Sequence, residues 1–186
     1  MSDRDTILRR LGAPGTIPVA PGTRAEVAPI AGDLWDRFAE RLTALGGVFY
    51  RASEPLDDRA LASLTGFALD DAYGDGRPGE PWTSPVGVTW AELAIAETGT
   101  VLLDTGPDRP RLASLAPPTH IVLVRENAIV AHLEEAMSQF ASGRTSVLIT
   151  GPSRTADIEG VLVRGVHGPG ELIVVCLGGR ETASSG

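Results

Sequence analysis

Glu97, Thr98, Gly99 and Thr100 follow the apolar run Ala94-Ile95-Ala96 and precede Val101-Leu102-Leu103, so a carboxylate and two hydroxyls fall beside a glycine at a strand break. A carboxylate held on such a turn suits nucleophilic or acid–base chemistry. The same four residues also suit a plain β-hairpin whose threonines bond the turn backbone. His120 ends Pro117-Pro118-Thr119-His120 and opens Ile121-Val122-Leu123-Val124, a position open to a general acid or base and equally to a structural histidine at a strand edge. The densest polar group is Gly151-Pro152-Ser153-Arg154-Thr155-Ala156-Asp157-Ile158-Glu159, joined by Gly165-Val166-His167-Gly168-Pro169. Its glycines free backbone N–H groups to meet an anion, and the Arg154 guanidinium can clamp both oxygens of a carboxylate. Asp157, Glu159 and His167 stand as catalytic candidates beside Glu97 and His120. Thr98, Gly99, Thr100, Gly151, Ser153, Arg154, Thr155 and Gly168 stand as ligand-binding candidates. The bland alternative leaves Asp157 and Glu159 capping a helix or paired with Arg154 and Arg164.

Other motifs carry less. Gly74-Asp75-Gly76-Arg77-Pro78-Gly79 spells the dinucleotide fingerprint, but no strand precedes it and Pro78, Pro81 and Pro85 oppose a following helix, so it reads as a loop. His132 and Glu135 fall at i, i+3 with no third ligand in view, which favours an exposed polar face over a metal site.

These residues need elements to hold them. Runs rich in β-formers at 86–90, 93–96, 100–104, 119–124, 145–150 and 171–177 predict the sheet. The continuous runs Ile121–Val124 and Leu172–Cys176 read as strands buried on both faces. Helical spacing of Val130, Leu133, Met137 and Phe140 predicts a helix over 129–140, hence a strand–helix–strand unit over 119–150 with a parallel pair and a right-handed crossover. Upstream, Asp33 is a plausible N-cap for a helix carrying Leu34, Trp35, Phe38, Leu42 and Leu45, ended by Gly46 and Gly47. A strand at 48–50, a short helix at 57–64 and a loop at 70–85 follow. The expected class is α/β with helices on both sides of a mainly parallel sheet, and ligands are expected outside the carboxyl ends of its strands. Residues 1–32 read as a short helix and a proline-rich arm, 33–179 as one domain, and 180–186 as a flexible tail.

The chain has 186 residues, enough for one core. All 16 of its basic residues are arginine against 24 acidic ones, a net charge of −8. Without lysine there is no P-loop lysine and no Schiff base, and no basic stripe marks a nucleic-acid surface. No apolar run approaches the roughly 18 residues of a membrane span, and the charged N-terminus has no signal-peptide core, so the cytoplasm is expected. Cys176 is the lone cysteine, so no intrachain disulfide and no four-thiolate cluster is possible.

The segments AIAETGTVLL, PPTHIVLV and GPSRTADIEGVLVRGVHGPGEL together resemble the LUD-domain family, in the lactate-utilisation protein C group, over about the last 100 residues. The segment from Tyr50 to Val86 departs from longer members by being short. The resemblance implies a three-layer α/β/α fold similar to NagB, ribose-5-phosphate isomerase and CoA-transferases. It further implies a part in oxidising L-lactate to pyruvate beside two iron–sulfur proteins encoded nearby. On that reading the chain is a subunit with no cofactor of its own, iron–sulfur clusters belong to its partners, and a small organic acid is its candidate ligand. Two other readings stay open: a free-standing CoA-transferase-like or ligase-like enzyme, in which Glu97 would match the attacking carboxylate by position, and a ligand-binding module without chemistry.

Overall fold

The computed structural model describes residues 28–53, 56–140, 145–155 and 162–178. The expected helix at 3–11, most of the arm, the tail, Asp157 and Glu159 lie outside them.

Helix α1, Leu34–Ala44, starts where Asp33 accepts hydrogen bonds from the N–H groups of Trp35 and Asp36, and it ends at Leu45 before Gly46 turns the chain at φ +83°. Its buried face is Trp35, Phe38 and Leu42, each worth roughly 1.5–3 kcal/mol of apolar burial. Phe49 joins Trp35 and Phe38 in an aromatic trio with centroids 5.4–5.8 Å apart. Strand β1 is Val48–Ser53, and helix α2, Asp58–Thr65, is capped by the Asp57 carboxylate.

The larger sheet has the order β1-β12-β7-β4-β2-β3. Strands β4 (Val86–Trp90), β7 (Thr119–Arg125) and β12 (Glu171–Gly178) run parallel with β1, and the two-residue β2 (Tyr73–Gly74) pairs parallel with β4. Only β3 (Arg77–Pro78) is antiparallel. The glycine fingerprint is the turn between β2 and β3, where a Cβ on Gly74 would meet the Val88 carbonyl; it is a tight sheet edge, not a phosphate loop. Strands β7 and β12 are buried through almost their whole length, as their unbroken apolar runs require.

A second sheet corrects the expected strand–helix–strand unit. Strands β5 (Leu93–Ile95), β6 (Thr100–Thr105), β8 (Ile129–Val130) and β9 (Thr145–Ile149) form it in the order β8-β5-β6-β9. Strand β9 pairs antiparallel with β6 and does not run parallel beside β7. The expected twelve-residue helix shrinks to α3, Leu133–Met137, because the β-branched Ile129 and Val130 are claimed by a ladder with Ala94 and Ile95. Val130 and Phe140 pack on this sheet, whereas Leu133 and Met137 of the same apolar spacing face outward.

The layers follow. Helix α2 covers one face of the large sheet over Val88, Ile121 and Val175. The opposite face, with Val122, Val174 and Cys176, is covered jointly by α1 and by Ala94, Val101 and Leu103 of the second sheet. The fold is thus α/β with a mostly parallel sheet and flanking helices, one helical layer being shared with strands. No helix of the described residues is long and apolar enough to cross a membrane.

Candidate functional site

Three segments singled out in the sequence meet through backbone hydrogen bonds. Ser153 N–H donates to the Pro169 carbonyl at 2.8 Å and Gly165 N–H to the Ser153 carbonyl at 3.1 Å, laying the two glycine-rich loops side by side. Gly170 N–H donates to the Pro118 carbonyl at 2.9 Å and ties both to the start of β7. Gly151 makes the entry turn at φ +89°, with its Cα pressed toward Leu45 at the end of α1.

Between them opens a pocket of about 240 Å³. His120 and Leu172 form part of its wall from the large sheet, Val147 to Ile149 from β9 with Thr150 just after it, and Ser153, His167 and Gly168 from the loops. It therefore lies at the amino ends of β7 and β12, not at the carboxyl ends of the parallel strands as expected. The reason is topological: Gly151 follows the carboxyl end of β9, but β9 belongs to the second sheet, where it runs antiparallel to β6.

His120 is 1% exposed, and its Nε2 sits 2.9 Å from the Thr89 hydroxyl. Burial pushes its imidazole down to about 3, so the ring is neutral at physiological pH and serves as a hydrogen-bonding group rather than a cation. His167 is exposed. Among the described lining residues there is no carboxylate and no guanidinium. The chemistry offered is a half-apolar wall with hydroxyls from Thr150, Ser153 and Ser114, two imidazoles and glycine backbone.

The Glu-Thr-Gly-Thr segment splits. Thr98, Thr100 and Thr150 form a chain of hydroxyls spaced 2.7 Å apart, which links the β5–β6 turn to the pocket wall. Gly99, at φ +67°, lets the turn rest on α1, because a Cβ there would stand 2.5 Å from the Leu42 nitrogen. Glu97 turns away from the pocket and lies 3.3 Å from His132 Nδ1, in a separate polar cleft beside Arg37 and Arg41. Arg154 stands opposite Arg164, and Thr155 opposite Val163, in a short ladder of β10 (Arg154–Thr155) and β11 (Val163–Arg164), and neither Arg154 nor Thr155 is among the pocket's lining residues.

Sequence reasoning missed Thr89, Ser114 and Thr150. Thr89 carried a signal, a hydroxyl in the otherwise apolar run Val86–Trp90 that is 5% exposed and had to find a partner. Among the described residues no three His, Cys, Asp or Glu side chains are placed to hold a metal ion. Burial raises the Cys176 thiol to about 11, which makes it a core group and not a nucleophile.

The family model described as the LUD domain matches residues 82–177, an interval that contains every residue lining the pocket. Lactate utilization protein C of Deinococcus radiodurans is 44% identical over 96 residues, covering 49% of this chain and 45% of that protein. Lactate utilization protein C of Bacillus subtilis strain 168 is 40% identical over 103 residues, covering 51% and 43% respectively. The matches thus span less than half the length of these relatives. The crystal structure of a DUF162 family protein from Deinococcus radiodurans superposes with a TM-score of 0.59 at 25% identity, covering 77% of this chain and 96% of that one. Since the family model takes in more than half of the sequence, and the pocket with it, the chain belongs to the LUD-domain family.

Proposed function

We propose that this chain is a subunit of an L-lactate utilisation system without a redox centre of its own, and that its pocket receives a small organic acid. The observation that carries the reading is that the LUD-domain model matches the interval that supplies the pocket's walls, and that relatives named lactate utilization protein C are 44% and 40% identical over about half of this chain. Oxidation of lactate to pyruvate releases two electrons, and the lone, buried Cys176 cannot ligate a cluster that would accept them. Iron–sulfur partner proteins in the cytoplasm supply that step. The mostly parallel sheet with flanking helices supports kinship with NagB, ribose-5-phosphate isomerase and CoA-transferases. Within the pocket, neutral His120 and the Ser153 hydroxyl hold the hydroxyl or keto oxygen of the acid, and exposed His167 stands at the loop side.

The test is growth of a strain lacking the gene on L-lactate and on pyruvate. Loss on lactate alone, restored by the wild-type gene, is expected. The double variant Ser153→Ala/His167→Ala should restore lactate consumption roughly tenfold less well, the scale of two lost hydrogen bonds. Equal growth of the deletion strain on both carbon sources, with no duplicate gene, overturns the reading.

A further inference from the structure

The β10–β11 ladder sets Arg154 directly opposite Arg164, and cross-strand neighbours of like charge repel. Their side chains do not diverge. Both Nη2 atoms lie within 3.0 Å of the point where a Cβ on Gly46 would stand, so the guanidinium groups are no more than about 6 Å apart, a separation at which two cations repel even in water. Gly46 makes this approach possible because it has no side chain to occupy the space.

The end of α1 offsets part of the repulsion, since its last carbonyls carry about half a negative charge. Two full positive charges exceed that. Arg37, Arg51, Arg77 and Arg109 each take a carboxylate partner; Arg154 and Arg164, like Arg41, Arg59, Arg111 and Arg125, take none among the described residues, but they alone of these face each other across a ladder. We infer that Arg154 and Arg164, seated over Gly46, form a binding site for an oxyanion, a carboxylate or a phosphate. One Nη2 of each guanidinium converges on Gly46, so an oxyanion lodged beside them can accept from both arginines, and a bound anion turns the mutual repulsion into two attractions. The site is next to the pocket in the chain, because the lining residue Ser153 directly precedes Arg154, and it holds the cations that the pocket's own described lining lacks. The inference does not rest on the lactate reading: growth tests that reading, and anion binding by the purified chain tests this one.

The experiment is a titration of the full chain with sodium phosphate and, separately, with sodium L-lactate, each against sodium chloride at matched ionic strength. It is followed by ¹H–¹⁵N spectra of the Gly46 amide and the arginine Nε–H groups. Saturable shifts at Gly46, Arg154 and Arg164 with phosphate, lactate or both are expected, and the stronger binder distinguishes the two anion classes. Arg164→Gln should weaken binding roughly tenfold or more, the scale of one charge-assisted hydrogen bond, and Arg154→Lys should weaken it less than Arg154→Gln because the charge stays while the fork is lost. Unchanged backbone shifts elsewhere show that the variants fold. Shifts that chloride reproduces, or that the substitutions leave intact, overturn the proposal. So does binding seen only in Asp157→Asn/Glu159→Gln, which would mean that the chain's own acids neutralise the arginines.

Discussion

His120 concentrates the electrostatic cost of the pocket in one side chain. Its imidazole titrates near 6.5 when unfolded and at about 3 in the fold, so between those values the unfolded chain binds a proton that the folded one excludes. Stability therefore falls as pH drops below about 6.5, by about 2 kcal/mol at pH 5, and this group adds nothing further once pH is below its folded value. Asp75 works in the opposite direction, because burial raises its carboxyl and the folded state takes up that proton first as pH falls. Urea denaturation of wild type and His120→Asn at pH 7 and pH 5 isolates the histidine: the wild type should lose more stability across that interval than the variant. A parallel loss in both would show that the ring is not the group responsible. The type and position of His120 were legible in the sequence. Its burial was not, because that depends on the second sheet closing over the amino end of β7.

At the scale of elements, the β5–β6 turn and the end of α1 hold each other in place. Gly99 sits where a side chain would be strained by its positive φ and blocked by the α1 backbone at Leu42. Gly99→Ala is expected to destabilise the chain by more than about 1–2 kcal/mol, the backbone term alone, and to lower the melting temperature measured by circular dichroism. Gly66→Ala is the control, since it has a similar φ of +81° and nothing within 4 Å of its Cβ. A loss at Gly99 no greater than at Gly66 would remove the packing argument. Sequence patterning located α1, α2 and the six main strand runs because capping residues and unbroken β-branched runs are local signals. It overextended the helix after β7, since spacing alone cannot tell whether Ile129 and Val130 will be claimed by a distant strand.

For the whole molecule, stability rests on the face of the large sheet that α1 shares with the second sheet. Phe38 is completely buried there, and Phe38→Ala should cost about 3–5 kcal/mol in chemical denaturation. Trp82 is 77% exposed, and Trp82→Ala should change stability by no more than about 0.5 kcal/mol. The reverse ranking would mean that the layer order is wrong. By itself the sequence determined the α/β class, the buried central strands and the chemical types gathered in the glycine-rich loops, because composition, capping and runs of apolar residues act locally along the chain; the family came from the resemblance of three of its segments. Only the tertiary structure decided that there are two sheets, that the pocket opens at the amino ends of β7 and β12, that Glu97 faces His132 instead of the pocket, and that Arg154 meets Arg164 over Gly46. Each of these depends on which strand pairs with which, and pairing is chosen by burial and hydrogen bonding between segments far apart in the chain.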